Sequence, residues 1–305
     1  MGFTSGAKVL ADIVDEVADG LIASSSYWND GDTTWDTTDR SRGNNNARRC
    51  LKYTGDSDDI WIALEVINST PRISYDGNDH WADGLRVSFS ASWDDVNHTY
   101  PADTYANSQT YIACEDEYDS GTDADMANVQ FSYYLWIDSS GFALMARPET
   151  TDNSHQQSFI CIIEHMDSKE YSDGLTNFYC FNTMNIYAMS DINNYRNRRM
   201  LRPFAYQNYE SWDGIMFWED ERNGHRAIKS TGNGKVYYVK PVICNSIDNM
   251  KPIYQSELFW AFSESAGLVD GDVVAVDGET TKYICKSLDS PDSTNRLNYA
   301  IKYVA

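Results

Sequence analysis

The chain reads as a mainly β protein: an antiparallel β-sandwich or jelly-roll-like body, preceded by one helix and followed by a small C-terminal β unit. Three observations predict this. Short β-type runs alternate with polar turn clusters from residue 25 to about residue 235. Helical periodicity is confined to one stretch near the N-terminus. Tyrosine, with 21 copies, dominates the aromatics, and its flat apolar ring with a polar tip suits pleated sheets and their surfaces. Many short strands of this kind favour a sandwich over a parallel α/β sheet.

The helix comes first. Leu10, Ile13, Val14, Val17 and Leu21 follow the i, i+3, i+4, i+7 rule, and the acidic residues fall on the opposite face. Thr4 or Ser5 is placed to cap it and Gly20 to end it. Such a stripe must be buried, either on its own β body or on another subunit. In the body, Ile60 to Val66 is a strand and Leu85 to Ser90 alternates in and out. Phe131 to Ile137 and Phe142 to Ala146 flank Asp138-Ser139-Ser140-Gly141, a hairpin signature. Phe159 to Glu164 and Phe178 to Phe181 continue the series. The loops at 26–47, 94–109 and 115–128 are long and polar, the usual place for contacts on a β scaffold. In the last seventy or so residues, Asp272 to Val276 and Thr280 to Lys286 are strands joined at Asp277-Gly278, and Asp270-Gly271 opens the first. Asn298 to Val304 closes the unit with Tyr299, Ile301 and Tyr303 on one face. The division expected is 1–24, 25–235 and 236–305. No fixed-period repeat is visible, which disfavours propellers and solenoids.

Charge and cysteine usage limit the function classes. The formal charge is -22, from 46 acidic and 24 basic side chains, and such a surface repels phosphate backbones. Residues 7–23 are interrupted by Asp12, Asp15, Glu16 and Asp19 and follow no basic region, so neither a signal peptide nor a membrane span is expected. The six cysteines are dispersed without a C-x-x-C pair and are expected as reduced, mostly buried thiols. The sequons at Asn68 and Asn97 carry no weight without secretion.

Chemistry-bearing motifs are sparse. Gly232-Asn233-Gly234-Lys235 lacks phosphate-loop spacing and reads as a hairpin turn. There is no Gly-x-Ser-x-Gly elbow or zincin pair, and His80, His98, His155, His165 and His225 show no ligand spacing. No cofactor motif is present. The Asp30-Gly31-Asp32 loop with Asp36, and the run from Asp119 to Asp125, offer oxygen ligands without EF-hand order. Glu219, Asp220 and Glu221 are adjacent, and alternate strand residues face opposite ways, so they cannot form a glycosidase pair by themselves. Two arginine knots stand out in so acidic a chain: Arg40, Arg42, Arg48 and Arg49, then Arg196, Arg198, Arg199 and Arg202. They serve either intrachain salt bridges or docking on the acidic surface of an identical neighbour. With Leu10, Ile13, Val14 and Val17 they are the candidate subunit-docking residues.

The segment Gly267-Leu268-Val269-Asp270-Gly271-Asp272-Val273-Val274-Ala275-Val276-Asp277-Gly278, continuing through Thr281-Lys282-Tyr283-Ile284-Cys285, resembles β-hairpins of tailed-bacteriophage virion proteins. Tyr134 to Asp138 and onward to Arg147-Pro148 also looks like phage structural proteins. The resemblance implies a neck, tail or baseplate component folded in the host cytoplasm. It would be non-enzymatic and would assemble with identical subunits, in a ring or other symmetric form, and with other virion proteins. No membrane and no sequence-specific nucleic acid enter that picture. Two alternatives are a carbohydrate- or receptor-binding β-sandwich using exposed Trp or Tyr, and a glycan depolymerase.

Overall fold

The computed structural model describes residues 2–35, 48–72, 80–99, 109–117, 129–149, 158–167, 175–183, 199–205, 238–239, 242–245, 251–262, 268–276, 278–288 and 297–304. Strand β1 (Phe3–Val9) runs directly into helix α1 (Leu10–Ser24). The first sheet contains β2 (Trp28–Asp30), β3 (Arg48–Tyr53), β4 (Ile60–Arg72), β5 (His80–Ser90) and β6 (Gln109–Glu117), in that order. The central sheet adds β7 (Gln130–Asp138), β8 (Gly141–Pro148), β9 (Phe159–His165), β10 (Leu175–Thr183) and β11 (Arg199–Ala205), in the order β1-β7-β8-β9-β10-β11. The C-terminal sheet uses β12 (Tyr238–Val239), β15 (Phe259–Phe262), β16 (Val273–Ala275), β17 (Lys282–Leu288) and β18 (Leu297–Tyr303), in the order β12-β15-β18-β17-β16. A ribbon of β13 (Val242–Asn245) and β14 (Lys251–Gln255) stands beside it in the chain. Every pairing is antiparallel. The fold is mainly β and sandwich-like, and among the described residues there is one helix, near the N-terminus.

The central sheet is covered on both faces. Along β7 to β10 one set of alternating side chains, among them Phe131, Leu135, Leu144, Phe159, Ile163 and Phe178, packs on α1 and on Leu51, Ile62, Leu64 and Val87 of the first sheet. The intervening set, including Met145, Ile160, Ile162, Tyr179 and Phe181, packs on Phe259, Ile284, Tyr299 and Ile301 of the C-terminal sheet. Tyr303 joins Tyr299 and Ile301 on that layer, as their spacing predicts. This double coverage explains why β8 and β9 are apolar without alternation, a pattern more usual in parallel sheets.

The helix departs from expectation at both ends. Thr4 and Ser5 lie in β1, paired with β7, and Val9 occupies the cap position with no side-chain cap. Gly20 does not end the helix, which continues to Ser24. A Cβ at Gly20 would stand 2.3 Å from Ile137 Cδ1, so glycine lets α1 close on the central sheet. Among the described residues no helix is long and apolar enough to cross a membrane.

The hairpin at 138–141 forms as the sequence predicts. Asp138 pairs with Gly141, and Asp138 Oδ1 accepts hydrogen bonds from Ser140 N at 3.0 Å and Ser140 Oγ at 2.5 Å. Gly141 has φ +153°, and a Cβ there would meet the Ile163 carbonyl oxygen at 2.0 Å, so no other residue fits. Cys50, Cys161, Cys180 and Cys285 are buried free thiols.

Candidate functional site

The strand pleat of the first sheet sends Leu51, Tyr53, Ile60, Ile62 and Leu64 inward. The opposite face carries a separate cluster, in which Trp35 lies with Cys50 and Ala63 and is flanked by Trp61 and Trp93. It is built by the segments that follow β2 and β5, which lead into two of the three long loops named from the sequence. Asp32, with a side chain 0% exposed, organises it. Its carboxylate accepts from Trp93 Nε1 at 2.9 Å and Thr34 N at 3.0 Å, and meets His98 Nδ1 at 2.8 Å. Burial works against this charge, but the hydrogen bonds from His98, Trp93 and Thr34 outweigh it and hold the carboxyl below its ordinary value.

His98 is held in the left-handed region, φ +54°, an uncommon state for a non-glycine residue. The turn preceding it is tied by Asp94, whose Oδ1 accepts from Val96 N at 3.0 Å and Asn97 N at 3.1 Å. The imidazole lies parallel to Trp35, with centroids 6.2 Å apart, and Arg48 places its guanidinium 4.7 Å from the Trp35 ring centre. Lys52 lies 4.6 Å from the centre of Trp61. The result is an indole cluster at the surface with oriented polar groups at its rim. Asp32 was singled out as a possible cation ligand, but its oxygens are occupied by protein donors. Among the described residues no group of three metal-ligating side chains occurs.

The arginine knot around residue 48 is divided by the pleat. Arg48 shares a face with Trp35, and in register lies opposite Glu65, which in turn lies opposite Arg86. Arg86 grips the buried Glu65 with two hydrogen bonds of 2.6 and 2.5 Å. Arg49 turns the other way and meets Asp19 at 2.9 Å, Asp30 at 3.3 Å and Asp15 at 3.4 Å, clamping α1 to the first sheet. Those contacts are of the intrachain kind that the sequence offers as one alternative for the knot. Leu10, Ile13, Val14 and Val17 are at most 2% exposed inside their own chain, so the helix stripe is buried on its own β body and not offered to a neighbour. Arg199 and Arg202 belong to β11, at the far edge of the central sheet. Arg40, Arg42, Arg196 and Arg198 lie outside the described residues, as do Asp36, the Asp119–Asp125 run, Glu219–Glu221 and Gly232–Lys235.

No family model, curated protein or solved structure matches the chain. Its own geometry must carry the functional reading.

Two adjacent residues of β9, to which the sequence assigns no functional role, join the three layers. Glu164 is fully buried and accepts from Glu257 N at 2.8 Å, Ser256 Oγ at 2.8 Å, Tyr254 Oη at 3.0 Å and Tyr179 Oη. Burial dominates over these donors and raises its pKa to about 7. His165 faces the other way, with Nδ1 2.5 Å from Asp167 and Nε2 3.0 Å from Asp56, and with Tyr53 and Phe178 against its ring. Burial disfavours the imidazolium, but Asp56 and Asp167 outweigh it and raise the pKa.

The hairpin of β16 and β17 lies at the rim of the C-terminal sheet. Gly271 and Gly278 turn it with φ +88° and +89°. Asp270 holds its base through Arg147 at 3.1 Å and the buried Lys286 at 3.8 Å. Val269 and Val273 are 61% and 44% exposed on it.

Proposed function

We propose that this chain is a structural subunit of a tailed-bacteriophage virion, in the neck, tail or baseplate, and that it works by symmetric assembly rather than catalysis. The observation that carries the reading is the placement of the β16–β17 hairpin. The segment with the phage-like turn pattern is an outermost strand pair that is braced to the central sheet and turns valines to solvent. A rigid layered body with a presented hairpin suits a protein whose work is to hold position. The buried polar links at Glu164, His165 and Arg49 support the same reading, since they fix the layers relative to one another.

A second reading, glycan or receptor binding, draws on the Trp61, Trp93 and His98 rim, where ring edges stand beside oriented polar groups. Sedimentation of the purified chain, electron microscopy for rings, and mass spectrometry of particles from the source culture test the first reading. A glycan array tests the second. A chain that stays monomeric at every concentration and is absent from particles overturns the virion reading. Array binding lost in Trp93→Ala would put the second reading in its place.

A further inference from the structure

A sheet edge offers unpaired N–H and C=O groups to any further strand, and folded proteins blunt their edges with short length, charge, proline or bulges. The three large sheets have six edges, and five are blunted among the described residues. Strand β2 has three residues and ends on Asp30, clamped by Arg49. Strand β6 includes Glu115, Asp116 and Glu117, and a register shift interrupts its pairing with β5. Strand β11 contains Arg199, Arg202 and Pro203, and its pairing is also shifted. Strands β12 and β16 have two and three residues.

Strand β1 has none of these devices. It runs seven residues in continuous register with β7 and holds no proline. Its one charge, Lys8, is turned to Glu16 of its own chain at 2.9 Å. Thr4, Ser5, Gly6 and Ala7 are all exposed. Ile137 N donates to Gly2 O at 3.1 Å, which sets the phase of the ladder. Even-numbered residues of β1 therefore bond to β7, and the N–H and C=O groups of Phe3, Ser5 and Ala7 point away from the sheet.

We propose that β1 pairs antiparallel with β1 of a second copy about a two-fold axis, joining two central sheets edge to edge. The inference rests on the self-assembly reading above and names the contact. Pairing all three outward residues of each copy sets the register: Ser5 faces its own counterpart, Phe3 faces Ala7, Thr4 faces Gly6 and Gly2 faces Lys8. Charge selects a second copy as the occupant. A chain of formal charge -22 repels itself over most approaches, yet at this edge Phe3 to Ala7 are uncharged and Lys8, the one charge, is paired with Glu16 of its own chain. An isologous contact also satisfies the outward groups of both copies at once.

Ser5 is the diagnostic position, because its amide is not used by β7 and its side chain is exposed. Ser5→Lys sets two ammonium groups against each other across the axis, and Ser5→Pro removes an outward donor, a change edge strands tolerate. Each should raise the dimer dissociation constant by roughly tenfold or more in sedimentation, with circular dichroism and melting unchanged. Ser5→Cys should cross-link to a dimer under mild oxidant, since facing residues sit about 5.5 Å apart between Cα atoms. Ala7→Cys, two residues off the axis, should not. A parent dimer that survives Ser5→Lys and Ser5→Pro, with no Ser5→Cys cross-link, overturns the β1 contact and leaves the virion reading standing. A parent that is monomeric alone overturns the second copy as occupant. If it is also absent from particles, the virion reading falls with it.

Discussion

Replacing Gly20 by alanine should destabilise the protein, and the effect should change sign when one methyl group is removed from a neighbouring layer. In an exposed helix interior, alanine is favoured over glycine by about 1 kcal/mol. Here the new methyl would meet Ile137 Cδ1 at 2.3 Å, while Cγ1 and Cγ2 stand at 3.6 Å. Ile137 is 6% exposed, so its terminal carbon can only swing into packed neighbours. Overpacking of this kind costs about 1–3 kcal/mol, which leaves a net loss of about 0–2 kcal/mol. Ile137→Val deletes Cδ1 and by itself costs about 0.5–1.5 kcal/mol. In that background the alanine methyl meets only the atoms at 3.6 Å, an ordinary contact, and Gly20→Ala should stabilise by about 1 kcal/mol. Urea titrations of the four proteins give the coupling energy, expected at about 1–3 kcal/mol. Equal effects of Gly20→Ala in both backgrounds would show that the helix does not rest on Ile137, and the seating of α1 would have to be redrawn.

Further outcomes follow from the buried polar groups. Glu164 binds its proton more tightly folded than unfolded, so its contribution favours the folded state at low pH and declines from about pH 4.5 to about 7. His165, also raised, adds stability below its ordinary value of 6.5 that is lost as pH rises through its folded pKa. Melting temperature should therefore fall from pH 5 to 8, and Glu164→Gln should flatten the lower half of that slope; an unchanged slope refutes the assignment. Arg86→Ala removes the bidentate partner of buried Glu65 and should cost about 3 kcal/mol or more in denaturant titration, with Glu65→Gln restoring part of the loss. Cys50, Cys161, Cys180 and Cys285 should resist a thiol reagent in the native protein and react once it is unfolded, because burial pushes the thiol of Cys285 up to about 12 and raises those of Cys50 and Cys161 as well.

The strands with apolar runs were legible in the sequence because their side chains are the core: Ile60 to Val66, Phe131 to Ile137 and Phe159 to Glu164 all fall inside observed strands. β1 was not. Thr4-Ser5-Gly6-Ala7 has almost nothing to bury, and its order comes from pairing with β7, which is distant in sequence. Gly20 looked like a stop because a glycine's local preference is visible and an approaching isoleucine is not. The third layer was foreshadowed by Phe142-Ala143-Leu144-Met145-Ala146, where the lack of alternation signals burial on both faces. At the outer-face cluster, the loops were located but the partners were not. Asp32 stands next to other acids in sequence, and only the fold brings Trp93 and His98 to it. Arg48 and Arg49 take different partners, since neighbours along a strand are separated by the pleat.

The two-sided burial of the central sheet also sets an order of events during synthesis. Met145, Ile160 and Ile162 leave the ribosome well before Tyr299 and Ile301, which help to cover them. For the time needed to translate the intervening residues, on the order of ten seconds or more at 5–20 residues per second, one apolar face of a formed or forming sheet has no native cover. A chain terminated before β18 would lack the strand that joins β15 to β17 and would leave that face incompletely covered. Truncated products should therefore be sticky and prone to capture by chaperones, and native behaviour should depend on the last strand far more than its seven residues suggest.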